Sequence, residues 1–175
     1  MYQKILLAVD GSPTADLALL EAAKIASTGS LLRIITVAIT PALTFDAPYG
    51  IQYDVGLVSH AVLEAAKAVL LQAQQRLEEH GIEAETGLID LTGTVNRNIP
   101  QSILRAADAW GASLIVLGTH GRSGVRRFFL GSVAEQIIRT SNIPVLLVRH
   151  PEDSLSGVKN NDAFGEWPGD DVMGG

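Results

Sequence analysis

The 175-residue chain contains no cysteine, and aromatic residues make up only 5% of it. Without cysteine there can be no disulfide bond, no thiolate metal site and no cysteine nucleophile. The N-terminal residues lack both a basic leader and a long apolar run before a cleavage site. No apolar stretch is expected to approach the roughly 18 residues that a membrane helix needs. These features predict a soluble, cytoplasmic protein without membrane insertion.

Several familiar site motifs are also missing. The sequence has no G-x-x-x-x-G-K-[ST] segment, no G-x-G-x-x-G after its first strand and no G-x-S-x-G elbow. Its four histidines show no metal-ligand spacing among themselves. We find no clear general base and no conventional nucleophile pair. The sequence therefore predicts no catalytic residue and no metal ligand.

Charge is spread unevenly along the chain. The net charge is −6, of which residues 151–175 carry −5 and residues 1–150 carry −1. The near-neutral body offers no basic face for nucleic acid. Since 47% of the residues are hydrophobic, the chain can form a full core. We predict one domain over residues 1–150 and a flexible acidic tail with several glycines and prolines over residues 151–175.

Short apolar runs alternate with helical patterns along the domain. We predict strands at 5–9, 31–39, 82–89, 114–117 and 145–148, and helices at 13–26, 57–80, 100–110 and 133–140. Residues 41–55 form an irregular segment that is either functional or a variable surface insertion. Alternating strands and helices indicate an α/β fold with a parallel sheet covered by helices on both faces. Ligands of such sheets bind beyond the carboxyl ends of the strands.

A glycine-rich segment from Gly118 to Ser132 follows a buried-strand pattern and precedes a helix pattern. Glycine lets the backbone approach an anion, and the first amides of a helix attract negative charge. The segment contains three arginines and no acidic residue. The alternative is purely structural: Ser132 and Glu135 would form a capping box, and the glycines would be ordinary turn residues.

Two further residues allow two interpretations each. Asp10 directly follows the first strand, so it is either a turn residue bonded to the Ser12 region or an acceptor for a ribose hydroxyl or a base amine. His120 is the one histidine within the glycine-rich segment. It acts either through its backbone, which we favour, or as an acid-base group.

Three separated segments resemble the universal stress protein family. The spacing Gly118-x2-Gly121-x9-Gly131-Ser132 is similar to the nucleotide motif of its ATP-binding branch. The opening segment at 5–12 and the closing segment at 142–148 resemble the family's first and last strands. The resemblance covers residues 2–149 and implies a Rossmann-like sheet with strand order 3-2-1-4-5. It also implies a homodimer formed largely through the fifth strand, Val145–Val148.

The resemblance also implies roles for individual residues. Asp10 would contact the adenosine, Val37 would bind adenine through its backbone, and Gly131 and Ser132 would bind phosphates. The full set implied to bind the nucleotide is Ala8, Asp10, Val37, Leu117, Gly118, His120, Gly121, Arg122, Gly131, Ser132 and Val133. The ligand would be ATP, ADP or AMP, and Mg²⁺ could bridge the phosphates.

Three functions remain open on the sequence. The first is a regulatory protein of the stress response that binds an adenine nucleotide and changes its dimer state or its contacts with an unknown protein partner. The second is a slow ATPase or self-phosphorylating enzyme, with Thr119 or Ser123 as acceptor. The third is an interaction scaffold that acts without nucleotide. Stress response itself comes from the family resemblance.

Overall fold

A computed structural model describes residues 2–26, 29–40, 54–95, 97–119 and 130–150. Strands and helices alternate along these residues, as predicted. The elements are β1 (Lys4–Ala8), α1 (Pro13–Ile25), β2 (Leu31–Ala38), α2 (Val55–Glu79), β3 (Ala84–Asp90), α3 (Ile99–Trp110), β4 (Leu114–Gly118), α4 (Ser132–Thr140) and β5 (Val145–Val148). The predicted tail and most of the predicted irregular segment (residues 41–53) lie outside the described residues.

The five strands form one parallel sheet in the order β3-β2-β1-β4-β5, which confirms the predicted order 3-2-1-4-5. β1 is the central strand, and its last residue, Ala8, pairs with Ile35 of β2 and with Leu117 of β4. The carboxyl ends of β2, β1 and β4 therefore lie side by side at one edge of the sheet.

Each face of the sheet carries two of the helices described above. Ile5, Leu7 and Ile34 belong to the core under α1 and α2, whereas Leu6 and Ile35 belong to the core under α3 and α4. Both faces are covered, so successive side chains are buried along the middle of β1 (residues 5–7) and along most of β4 (residues 114–117). This explains why those strands are continuous apolar runs instead of alternating apolar and polar residues.

The first helix begins as the sequence predicts. Ser12 is its N-cap and accepts a hydrogen bond from the Ala15 amide at 3.3 Å, and Pro13 is its first residue. A serine oxygen satisfies one of the free amides of the first turn, and proline has no amide to satisfy. The start of α1 is thereby fixed a few residues beyond the end of β1.

Two predicted boundaries are displaced for identifiable reasons. α2 begins at Val55 because Asp54 caps it, accepting from the Leu57 amide at 3.1 Å. β3 begins at Ala84 instead of Ile82, because the Ile82 amide donates to the Leu77 carbonyl at the end of α2. Gly81, at φ +72°, provides the left-handed residue on which this type of helix ending depends.

The expectation about long apolar stretches is wrong for α2. This helix contains an 18-residue window of mean hydropathy 1.3, enough by length and composition to cross a membrane. One such helix is weak evidence for a span, because core helices of soluble proteins have the same composition. The buried residues of α2, which are Ala66, Leu70, Ala73 and Leu77, pack towards the sheet.

Candidate functional site

A cavity of about 280 Å³ lies at the carboxyl edge of the sheet. Its walls come from the ends of β2, β1 and β4 and from the beginnings of α1, α3 and α4. The cavity brings together eight of the residues predicted to bind a ligand: Ala8, Asp10, Val37, Leu117, Gly118, Gly131, Ser132 and Val133. The other three, His120, Gly121 and Arg122, lie outside the described residues.

Asp10 follows β1 and shapes the turn after that strand. Its Oδ1 accepts a hydrogen bond from the Ser12 amide at 3.0 Å, the Asx-type turn that the first interpretation of this residue requires. Asp10 also lines the cavity. The structural role is therefore confirmed, and it leaves the carboxylate at the cavity wall, where the second role would place it.

β2 extends further than its neighbour β1 at this edge. The β1–β2 pairing ends at Ala8 and Ile35, whose carbonyl accepts from the Val9 amide at 2.9 Å. Backbone groups of a strand alternate between its two sides, so the amide and carbonyl of Val37 point to the same side as those of Ile35. They lie beyond the end of β1, at the wall of the cavity.

The glycine-rich segment leaves and returns to the sheet at one point. The Gly131 amide donates to the Thr119 carbonyl at 2.8 Å, and the Thr119 amide donates to the Val148 carbonyl at 2.9 Å. The intervening residues 120–129 lie outside the described part of the chain. Because both ends are fixed beside β4, the segment must begin and end at the cavity.

The capping box of the structural alternative does not form at α4. The helix begins at Ser132, with Gly131 as its N-cap, and in the described part of the chain no side chain forms a cap hydrogen bond there. Ser132 lies inside the first turn, where its hydroxyl is not in the capping position, and Glu135 pairs with Arg139 at 2.8 Å. The first amides of α4 have no acceptor within the helix, so this end of the cavity can bind an anion.

Gly118 has a packing role that the sequence did not indicate. A Cβ built on it would lie 2.7 Å from the Thr14 hydroxyl oxygen and 2.9 Å from the Thr14 carbonyl carbon. Such contacts are too short for a side chain, so only glycine lets the end of β4 approach the first turn of α1. This glycine is therefore required for packing, whatever the cavity binds.

The apolar part of the cavity was the part that sequence reasoning missed. Ile39 follows Val37 by two residues and lies directly after β2, while Ile99 and Ile103 come from the first turns of α3. The signal for Ile39 was its spacing, since residues two apart share a face of a strand. Ile99 and Ile103 could not be found in this way, because their approach depends on how α3 packs on the sheet.

The electrostatic character of the described lining is simple. Asp10 is the one ionisable side chain among the described residues of the cavity wall. Within those parts of the chain that the structure describes, no group of three or more His, Cys, Asp or Glu side chains could hold a metal ion. The described wall can therefore offer backbone amides, hydroxyls, one carboxylate and an apolar slot.

A five-stranded parallel sheet covered on both faces, with its cavity at the carboxyl edge, defines a Rossmann-like α/β protein. The model of the Universal stress protein family matches residues 1–149, and this chain belongs to that family.

Relatives of known sequence or structure agree with this assignment. Universal stress protein YxiE of Bacillus subtilis is 32% identical over 154 residues, which cover 85% of this chain and all of the relative. A universal stress protein family structure from Burkholderia pseudomallei is 34% identical, with a TM-score of 0.64 and coverage of 84% and 96% of the two chains. The universal stress protein of Archaeoglobus fulgidus in complex with dAMP is 26% identical, with a TM-score of 0.60 and coverage of 84% and 98%.

Proposed function

We propose that this protein belongs to the ATP-binding branch of its family and acts as a regulator that binds an adenine nucleotide. The observation that carries the proposal is the cavity, which crosses the ends of β2, β1 and β4 and reaches the N-terminus of α4. One end of it is apolar and the other offers amides. A nucleotide has the same polarity, with a flat base at one end and phosphates at the other.

The base would occupy the end formed by β2 and α3. Ile39, Ile99 and Ile103 supply apolar surface there, and the exposed backbone edge of Val37 supplies one donor and one acceptor. Adenine presents a matching pair, the N6 amine as donor and N1 as acceptor. Guanine presents the opposite pattern on that edge, so we expect adenine to be preferred.

The ribose and phosphates would follow across the sheet. Asp10 would accept a hydrogen bond from a ribose hydroxyl, with Ala8 and Leu117 beside it. The phosphates would lie against Gly131, Ser132 and Val133, where the amides and the dipole of α4 favour negative charge. The list implied by the family motif adds Gly118, His120, Gly121 and Arg122 to this end.

The dAMP complex of the Archaeoglobus fulgidus protein supports an adenine nucleotide as the ligand class. We propose ATP, ADP or AMP for this chain, with Mg²⁺ bridging the phosphates. We also propose a cytoplasmic homodimer formed through Val145–Val148. In the described sheet β5 is an edge strand, and such an edge offers free backbone groups for pairing. Nucleotide binding would alter the dimer or its contacts with a protein partner.

A thermal-shift titration tests the proposal. Protein stripped of nucleotide is titrated with ATP, ADP, AMP and GTP, each with and without Mg²⁺. A ligand at about 100 times its Kd should stabilise the fold by about 2.7 kcal/mol, and adenine nucleotides should do so at lower concentration than GTP. No shift with any nucleotide, on protein shown by mass spectrometry to be ligand-free, would favour the nucleotide-independent scaffold. Hydrolysis of ATP to ADP by the wild type, together with no hydrolysis by the Asp10→Asn variant, would favour the slow ATPase.

A further inference from the structure

Arg97 connects the end of β2 to the beginning of α3. Its guanidinium Nη2 donates to the Thr40 carbonyl at 2.6 Å and to the Thr40 hydroxyl oxygen at 3.0 Å. Thr40 is only 7% exposed, so its carbonyl needs a partner within the protein. Arg97 supplies that partner with a charged donor, and such hydrogen bonds are stronger than those between neutral groups.

A second contact extends this connection into the β3–α3 loop. The Thr40 hydroxyl donates to the Thr92 carbonyl at 3.1 Å. On the other side of Arg97, its own carbonyl accepts from the Ile99 amide at 3.0 Å. The end of β2 is thereby fixed against the loop and against the first residue of α3.

The two apolar residues at this end of the cavity are next to these contacts in the chain. Ile39 precedes Thr40, and Ile99 follows Arg97 by two residues; both line the cavity. A shift of Thr40 away from Arg97 would carry Ile39 away from Ile99. The separation of these two side chains sets the space available to a flat ring.

We infer that Arg97 is a positioning residue that fixes the width of the base slot and so controls affinity for the base, without touching the nucleotide. The inference rests on the proposed function. It assigns to Arg97 a role separate from that of Ser132, which lines the cavity from the start of α4.

The experiment compares adenosine with ATP on the full chain by calorimetric titration. Arg97→Met removes both hydrogen bonds to Thr40 and should weaken both ligands by the same factor, about tenfold, because the ligand must then hold together a base slot that Arg97 no longer fixes. Ser132→Ala should weaken ATP and leave adenosine unchanged. Arg97→Lys, which retains a charged donor, should recover part of the loss. Arg105→Met is the matched control, since it removes an exposed arginine from α3, and it should bind both ligands like the wild type.

Melting temperatures separate positioning from plain stabilisation. If Arg97→Met lowers the melting temperature while both affinities stay unchanged, the inference is overturned and Arg97 is a structural residue only. If the wild type binds neither ligand, the proposed function fails and the inference falls with it. Should Arg97→Met not fold, Thr40→Val decides: it removes one of the two acceptors, and unchanged adenosine affinity in that variant contradicts the inference.

Discussion

Gly118 of β4 and Thr14 of α1 approach so closely that a Cβ on Gly118 would lie 2.7 Å from the Thr14 Oγ1. Thr14 is itself buried, and its hydroxyl lies 3.2 Å from the Ser12 hydroxyl oxygen. The first glycine of the nucleotide-type motif thus joins the start of α1 to the strand that enters the glycine-rich segment. Its need for glycine follows from the packing of the protein.

Replacement of Gly118 by alanine should therefore destabilise the fold. Overpacked core positions cost about 1–3 kcal/mol, and the Thr14 backbone cannot rotate away as a side-chain end could. Urea denaturation should show this loss of unfolding free energy in the absence of any nucleotide. Gly93→Ala is the control, because a Cβ there meets no described atom within 4 Å. Equal stability of Gly118→Ala and wild type would refute the packing role.

Replacement of Gly131 by alanine should affect nucleotide binding more than stability. Its φ of −58° and ψ of 144° are accessible to any residue, so Gly131→Ala introduces no backbone strain. We expect a stability loss below about 1 kcal/mol, the cost of a poorer N-cap, together with a loss of ATP affinity of at least about tenfold. Calorimetric titration and urea denaturation of the same preparation measure the two effects. Unchanged ATP affinity would mean that phosphate does not approach this residue.

Asp10 can be tested for its two roles separately. Asparagine retains an oxygen that accepts from the Ser12 amide, so Asp10→Asn should keep the turn and change stability by less than about 0.5 kcal/mol. Asp10→Ala removes the acceptor and should destabilise by about 1 kcal/mol. If Asp10 also binds the ribose, both variants should weaken adenosine in titrations. Wild-type adenosine affinity in both would leave Asp10 as a turn residue alone.

Asp90, at the end of β3, provides a prediction about pH. The Thr92 hydroxyl donates to its Oδ1 at 2.7 Å and the Thr92 amide does so at 2.8 Å, and these bonds lower the pKa of Asp90 below its ordinary value of 3.8. The stabilisation is therefore present above pH 3.8 and is lost as the pH falls through the lower, folded-state pKa.

NMR titration of the Asp90 carboxyl carbon measures this directly. The wild-type pKa should lie below 3.8, and Thr92→Val should raise it part of the way, because the amide bond remains when the hydroxyl is removed. An identical pKa in the two proteins would show that the hydroxyl bond does not hold in solution.

Local signals in the sequence were sufficient for most of the fold. The serine-proline start of α1 and the left-handed glycine after α3, Gly111 at φ +75°, both act within a few residues of the chain. The start of α4 was misjudged by one residue: Ser132 and Glu135 have capping-box spacing with Ser132 as N-cap, but in the structure Gly131 is the N-cap and Ser132 is the first helical residue. Only the backbone conformation of Gly131 decides between the two.

The cavity could be predicted in outline but not in its contacts. Asp10, Val37 and Gly131 reach it because parallel strands end at a common edge, which chain order already indicates. Arg97 and Thr40 are 57 residues apart in sequence, and Gly118 and Thr14 are also distant. Such contacts depend on how the helices pack on the sheet, and no local pattern in one sequence encodes that packing.

The most direct test of the account is an NMR titration of ¹⁵N-labelled, nucleotide-free protein with adenosine and then with ATP. Adenosine should shift the amide signals of Val37 and Ile39 and leave those at the start of α4 in place. ATP should shift both groups, including Gly131, Ser132 and Val133, while GTP should shift neither group at the same concentration. ATP-induced shifts confined to other parts of the protein, or no shifts at all, would contradict the proposal that an adenine nucleotide lies across this edge of the sheet.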